Sequence, residues 1–272
     1  MDFSVLISVY YKENPEFLKR AFESIWDLQS LKPSQIVLVE DGPLTDDLYA
    51  QIQRQKELLG EKLTVVSLEK NVGLGIALAE GLKACEYGTV ARMDGDDVAD
   101  RDRFLEQIGF LKANPDISVV GSFISEFEGD EGNIYAYRTP PTTHIDIYNF
   151  AKKRNPINHM TVMFRKDAVM AVGGYMPFMG FEDYYLWVRM LKKGFLFANL
   201  PRYLVNARAG LAMVGRRGGL KYAISEYRLQ KEFLRLGFIN FGEFLFNASI
   251  RFLSRIVPEQ IRIALYQKAL RR

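Results

Sequence analysis

Thr89-Val90-Ala91-Arg92-Met93-Asp94-Gly95-Asp96-Asp97 decides the fold: a β-favouring apolar run ends abruptly in three carboxylates within four residues. Carboxylates this close repel one another and cost stability unless something positive sits beside them. In open α/β sheets ligands bind beyond the carboxyl ends of the strands, which is where the cluster falls if Thr89–Met93 is a strand. Mg2+ and Mn2+ prefer oxygen ligands and are commonly held by one or two carboxylates plus substrate phosphates. Gly95 allows a tight backbone turn, so that the flanking side chains converge. The plainer reading is an acidic turn capping the next helix. The position after a series of strand–helix units favours the cation.

Working outward, the preceding chain alternates β-rich runs with amphipathic helical patterns, the signature of a parallel sheet covered by helices. Phe3–Val9, Ile36–Val39 and Leu63–Leu68 read as strands. Helices are expected from Pro15 to Leu28, after a cap at Thr45 or Asp46, and over Gly73–Cys85. Beyond the cluster, Asp102–Ala113 reads as a helix and Ile117–Phe127 as a strand. Glu128–Pro141 reads as a loop, because it is rich in Gly, Asp and Pro. Asn155–Phe164 reads as strand-like and Phe181–Lys192 as a helix closed by Gly194. From Gly218 the pattern is helical, with breaks near Gly237 and Pro258. The expected architecture is one α/β domain with a helical tail.

Several other segments carry candidate chemistry, each with a plainer alternative. Asp41, in Glu40-Asp41-Gly42-Pro43, can accept hydrogen bonds from a base or ribose, yet Asp-Gly-Pro is also ordinary turn chemistry. Asn71-Val72-Gly73-Leu74-Gly75 opens a helix whose free N–H groups suit an anion, or is a glycine-eased helix start. Glu182 and Asp183 stand at a helix N-terminus, where the dipole favours carboxylates in any case. They also suit removal of a proton from a hydroxyl acceptor. His159 either faces an acceptor or phosphate or is a hydrogen-bonded core residue. Arg216 and Arg217 lie in a basic, glycine-rich segment that closes over a pyrophosphate or is a solvated linker.

Taken in order, these segments resemble the family 2 glycosyltransferases, and among them the bacterial enzymes of capsule, exopolysaccharide and O-antigen assembly. The resemblance is carried by Ser4–Tyr10, Ile36–Gly42, Asn71–Leu78, Ala91–Asp97, Asn158–Lys166 and Phe181–Asp183. It implies a GT-A fold, a Rossmann-like open mixed sheet flanked by helices, with a C-terminal helical extension. The catalytic domain would be residues 1–215, with a nucleotide-sugar half at 1–100 and an acceptor half at 101–215, followed by a tail at 216–272. Val9, Tyr10 and Glu13 would line the nucleotide pocket, with Asn71 and Gly73 beside it, and Asp41 would contact the base, most often uracil. Asp94 would sit near the ribose or donor sugar, and Asp96 would ligate Mn2+ or Mg2+ bridging the diphosphate. Asp183 would be the base of an inverting in-line displacement, His159 and Glu182 would face the acceptor, and Arg216 and Arg217 would cover the diphosphate. One departure is that the family's Asp-Asp-Gly-Ser reads Glu40-Asp41-Gly42-Pro43 here.

The implied partners are a nucleotide-sugar donor, with a UDP-sugar favoured, and a glycan or polyprenyl-diphosphate-linked acceptor. At 272 residues, 48% hydrophobic and 25% charged, the chain suits a globular protein. Its single cysteine, Cys85, excludes an intrachain disulfide framework. The N-terminus lacks the pattern of a secretory leader, and no apolar run approaches the ~20 residues of a membrane span. A cytoplasmic protein is expected, possibly peripheral on the cytosolic face of the inner membrane. Residues 216–272 hold 12 basic and 4 acidic side chains. Apolar positions from Phe238 to Val257 interleave with Arg251, Arg255, Arg262 and Lys268, which suits an anionic membrane surface or a helical cap on the domain. No nucleic-acid module is recognisable. Two rivals are a sugar-phosphate nucleotidyltransferase and a non-catalytic sugar-nucleotide-binding or scaffold protein. The first normally has a glycine-rich basic loop after its first strand, where this chain reads Tyr10-Tyr11-Lys12-Glu13-Asn14-Pro15.

Overall fold

The computed structural model describes residues 1–209 and 219–256, with side chains described through Arg251. Four strands, β1 (Ser4–Val9), β2 (Gln35–Glu40), β3 (Leu63–Ser67) and β4 (Thr89–Asp94), lie side by side in the parallel order β3-β2-β1-β4. Buried on both faces, β1, β2 and β4 read as continuous apolar runs rather than alternating ones. Between them run α1 (Pro15–Ile25), α2 (Asp46–Leu59) and α3 (Leu74–Ala84). The first starts where sequence chemistry dictates: Asn14 accepts a hydrogen bond from the Glu16 N–H, and Pro15 fills the first turn. Thr45 caps the second by accepting from the Leu48 N–H.

The second half turns the sheet back on itself. β5 (Val98–Ala99), α4 (Arg103–Ala113), β6 (Ile117–Phe127), β7 (Ile134–Arg138) and α5 (His144–Ala151) follow β4. Then come a 3-10 turn (His159–Thr161), β8 (Met163–Arg165), α6 (Lys166–Met170), α7 (Glu182–Lys193) and β9 (Leu196–Arg208). The full order is β3-β2-β1-β4-β8-β6-β9-β5, with β7 on β6; β8 runs antiparallel to β4 and β6, and β9 parallel to β6. β4 ends at Asp94 and β5 begins at Val98, yet β8, β6 and β9 stand between them. Only a curled sheet permits this, and the turn Gly95-Asp96-Asp97 closes the curl.

Several expectations need correction. α1 stops at Ile25, short of Leu28. The Glu128–Pro141 loop contains β7, an edge strand pairing with Ile124–Phe127 through a bulge. Of Asn155–Phe164, only Met163 and Phe164 are in a strand; His159–Thr161 is wound into the 3-10 turn that Asn158 precedes. Three residue pairs to β4 and two to β6 are enough there, because β8 only bridges those strands.

The core lies in two layers. One face of the sheet packs against α1, α2 and α4 through Phe3, Ile7, Phe22, Ile52 and Phe104. The other packs against α3 and α7 and extends to the tail helices α8 (Leu220–Arg235) and α9 (Phe241–Ile256). Phe233, Phe238, Ile239 and Phe244 are buried in that second layer. A polar seam accompanies them: Arg251 ion-pairs with the buried Glu226, and Asn247 donates to the Lys152 carbonyl at 2.8 Å. Part of the apolar and basic tail pattern is therefore a cap on the catalytic body. Arg255, Arg262 and Lys268 lie outside the described side chains. Among the described residues no helix is long and apolar enough to cross a membrane.

Candidate active site

The carboxylates that follow β4 converge. Asp94, Asp96 and Asp97 each offer an oxygen, and these atoms all lie within 4.8 Å of one another. Asp97 is buried; one of its oxygens accepts from the Arg208 N–H at 2.8 Å, and the other, Oδ2, has no hydrogen-bond partner among the described residues. Burial pushes the Asp96 carboxyl up to about 6, with the charge of Asp94 adding to it. Burial also raises Asp97 well above the ordinary range, followed by the charges of Asp96 and Asp94. Three converging carboxylates and an orphaned buried oxygen form a hard-oxygen donor set that fits a divalent cation.

Residues expected to line the nucleotide pocket gather at the same carboxyl edge. A Cβ on Gly95 would lie 3.1 Å from Val9 Cγ1 and 3.5 Å from Glu13 Oε2, so the end of β1 abuts the acidic turn. The Glu13 N–H donates to the Tyr10 carbonyl at 2.9 Å, folding Tyr10–Glu13 into a turn there. Asp41 is buried beyond β2, its N–H donating to Val9 O at 2.8 Å. Its carboxylate accepts from the N–H groups of Val72 and Gly73 at 2.7 and 3.0 Å, and from Asn71 Nδ2 at 3.1 Å. The N–H groups that open α3 thus already hold an anion, and it belongs to the protein. Glu40 points elsewhere, accepting from the Ser67 hydroxyl. Gly42 has no substitute here: its φ is +84°, and a Cβ would sit 2.3 Å from Asn71 N.

Of the residues expected on the acceptor side, Glu182 and Asp183 open α7 and His159 lies in the 3-10 turn. Gly75 allows the contact, since a Cβ there would lie 3.0 Å from Glu182 Cβ and 2.9 Å from Met176 O. Asp183 accepts from Asn155 Nδ2 and from the Tyr184 N–H, both at 2.6 Å, two donors that orient its carboxylate. Burial pushes Glu182 up to about 7; Asp183 adds to this, Arg92 opposes it, and Asp94 adds a smaller push. The charge of Asp94 is thus felt at Glu182, from the tip of β4 to the start of α7. His159 Nε2 is 2.9 Å from the Tyr175 hydroxyl, and its ring packs edge-on to Trp187. Burial, and then Arg92, holds His159 well below the ordinary histidine value, so the ring is neutral.

Sequence reasoning missed three participants. Arg92, inside β4, is buried and ion-paired with Asp94. A charged residue in a strand buried on both faces was itself a signal that a partner lay nearby. Asn155 and Tyr175, which hold Asp183 and His159, left no local trace. Arg216 and Arg217 lie outside the described residues.

A curled mixed sheet with helices on both faces and a carboxylate turn at its carboxyl edge define a glycosyltransferase of the GT-A fold. The chain belongs to glycosyl transferase family 2, whose sequence profile matches residues 4–172. An uncharacterized glycosyltransferase of Haemophilus influenzae is 44% identical over the whole of both chains. The amylovoran biosynthesis glycosyltransferase AmsE of Erwinia amylovora is 42% identical over 98% of each. A UDP-Gal:alpha-D-GlcNAc-diphosphoundecaprenol beta-1,3-galactosyltransferase of Escherichia coli is 36% identical over 99% of this chain and 97% of that one. The fold is shared with S. aureus TarS in complex with UDP-GlcNAc, at TM-score 0.68 and 17% identity, covering all of this chain and 76% of that one. It is shared as well with a Pyrobaculum calidifontis mannosyltransferase in complex with GDP-Man and Mn2+, at TM-score 0.65 and 16% identity, over 98% and 75% of the two chains.

Proposed function

We propose that this glycosyltransferase moves a sugar, with inversion, from a nucleoside-diphosphate donor to a glycan or a polyprenyl-diphosphate-linked sugar in the assembly of a bacterial surface polysaccharide. The observation that supports the reading is the convergence of Asp94, Asp96 and Asp97 at the carboxyl end of β4, their oxygens within 4.8 Å of one another. A UDP-sugar is the favoured donor, as in the name of the E. coli relative.

Asp96, with Asp94 beside it, would hold Mn2+ or Mg2+, which supplies positive charge to the departing diphosphate. Val9, Tyr10 and Glu13 wall the nucleotide; Asp41 fixes the Asn71–Gly73 loop against which the base rests. Asp183, oriented by Asn155 and the Tyr184 N–H, takes the proton from the acceptor hydroxyl as its oxygen attacks the anomeric carbon. Glu182 and His159 border the acceptor side, the neutral imidazole serving as a hydrogen-bonding wall through Tyr175. The chain reaches Ala209 directly after Arg208, whose N–H is bonded to Asp97. That supports the assignment of Arg216 and Arg217, a few residues on, to the diphosphate.

The tail helices support peripheral contact with an anionic membrane from the cytosolic side. Phe241, Leu245, Phe246 and Ile250 of α9 are exposed by 49–63%. The solvent side of α8 carries Leu220, Ile224 and Tyr227 together with Arg228, Lys231 and Arg235. The test of the reaction is release of nucleoside diphosphate from a panel of donors, with and without Mn2+, in the presence of a polyprenyl-diphosphate sugar. No release from any donor that depends on the added acceptor would refute the reading.

A further inference from the structure

Arg92 is the side chain in this site that the reaction above leaves unused. It lies in the centre of β4, opposite Leu6 of β1, and its side chain is 3% exposed. Its main chain is fully committed on the outer side of the strand. The N–H donates to Val162 O at 2.9 Å, and the carbonyl accepts from Arg103 Nη2 at 2.6 Å, because β8 pairs only as far as Ala91. The strand therefore holds Arg92 at a fixed height, two residues below the turn.

The guanidinium has a single described anchor. Nη2 pairs with Asp94 Oδ1, whereas Nε and Nη1 are buried without a hydrogen-bond partner. A buried cation with two donors unmade is strongly disfavoured, and an apolar side chain at this position would be the more stable choice. Such a group needs a reason, and the charges around it give one. Asp94, Asp97 and Glu182 all act on it or feel its field, and its one direct bond goes to Asp94, the carboxylate that ends β4. Arg208, the other arginine at the turn, bonds the Asp96 carbonyl rather than a carboxylate. Asp97 is tied to a backbone N–H.

We propose that Arg92 is a positioning residue for the donor: acting through Asp94, it holds that carboxylate in the one direction that serves the nucleotide-sugar and its cation. This rests on the reading of the turn as the nucleoside-diphosphate site. Partners that orient a ligating group from behind commonly change affinity by ~10–100-fold when removed.

Calorimetric titration of UDP with Mn2+ into the full-length protein tests it without turnover. Arg92→Met is expected to bind ~10–100-fold more weakly than wild type and Arg92→Lys to fall between them. The double variant Arg92→Met/Asp94→Asn is expected to bind no more weakly than Asp94→Asn alone, since the arginine then has nothing to position. Equal binding by Arg92→Met and wild type would overturn the inference, as would losses that multiply in the double variant. If Arg92→Met does not fold, the same cycle with Arg92→Lys decides. Failure of the wild type to bind UDP or GDP with either ion would instead strike the donor reading itself.

Discussion

The backbone N–H of Arg208 donates to the carboxylate of Asp97 at 2.8 Å, joining the last residue of β9 to the turn that follows β4. These residues are far apart in sequence, and the curl of the sheet brings them together. The Arg208 side chain reinforces the joint: Nε donates to the Asp96 carbonyl, Nη1 donates to the Gly129 carbonyl, and the guanidinium lies 3.8 Å from the ring centre of Phe17 and 4.6 Å from that of Phe127.

Replacing Arg208 by Ala keeps the N–H bond to Asp97 but removes the clamp and both ring contacts. The expected result is a loss of about 1–3 kcal/mol of stability in a denaturant titration. Mn2+ affinity is expected to fall as well, because the Asp96 backbone is no longer held. Unchanged affinity for the ion in a folded Arg208→Ala protein would show that the clamp serves stability alone.

Asp183→Asn preserves the shape but offers one acceptor oxygen to the two donors Asn155 Nδ2 and the Tyr184 N–H, and it cannot take a proton. Turnover is expected to fall by ~10^2–10^4-fold while UDP binding is unchanged. Asn155→Ala is expected to act in the same direction and less severely, since the Tyr184 N–H remains. Single-turnover rates beside equilibrium nucleotide binding separate the two effects.

The first half of the fold was legible because parallel strands buried on both faces write themselves as apolar runs, and because Asn14-Pro15 and Thr45 mark helix starts by local chemistry. β7 was not legible: as an edge strand with Ile134 and Tyr137 exposed, it follows a Gly- and Asp-rich turn and buries only Ala136. The Asp94–Asp97 turn announced itself through charge density. Arg92 did not, although a lone cation within Thr89–Met93 could only be buried with a partner. The contacts Asn155–Asp183 and Tyr175–His159 depend on how α7 docks beside the 3-10 turn, which no local pattern encodes.

Glu182 yields a pH prediction. Burial, with Asp183 next to it, raises its folded-state value to about 7 from 4.5. The folded protein then binds more protons than the unfolded chain between these values, so this group's contribution to stability falls as pH rises from about 4.5 to 7. Glu182→Gln removes the penalty. It is expected to raise the melting temperature relative to wild type at pH 8 and to make little difference at pH 4.5. A melting-temperature difference that does not grow across this interval would contradict the assignment.

Gly42→Ala tests the loop that Asp41 organises. The new Cβ would meet Asn71 N at 2.3 Å and the Lys70 carbonyl carbon at 2.7 Å, at a φ of +84°. Loop 70–73 must move, so both stability and UDP affinity are expected to drop, the former by about 1–3 kcal/mol. Gly60→Ala is the control: its φ is +55°, with nothing within 4 Å of the added carbon. It is expected to cost less stability and to leave nucleotide binding intact.

Membrane contact by the tail calls for point changes rather than truncation. Phe238, Ile239 and Phe244 are buried against the catalytic body, so a chain cut near Gly237 would expose core and confuse unfolding with loss of binding. Phe246→Glu/Ile250→Glu alters only exposed positions on α9. If the outward face enters the headgroup region, this variant should co-sediment with phosphatidylglycerol vesicles far less than wild type. Its melting temperature should be unchanged, and so should its turnover on a short, water-soluble acceptor. Adding salt should weaken the wild-type interaction too, because the cations Arg228, Lys231 and Arg235 of α8 are screened while the apolar contacts are not. Equal vesicle binding by the two proteins would leave the exposed face of α9 without a role at a membrane.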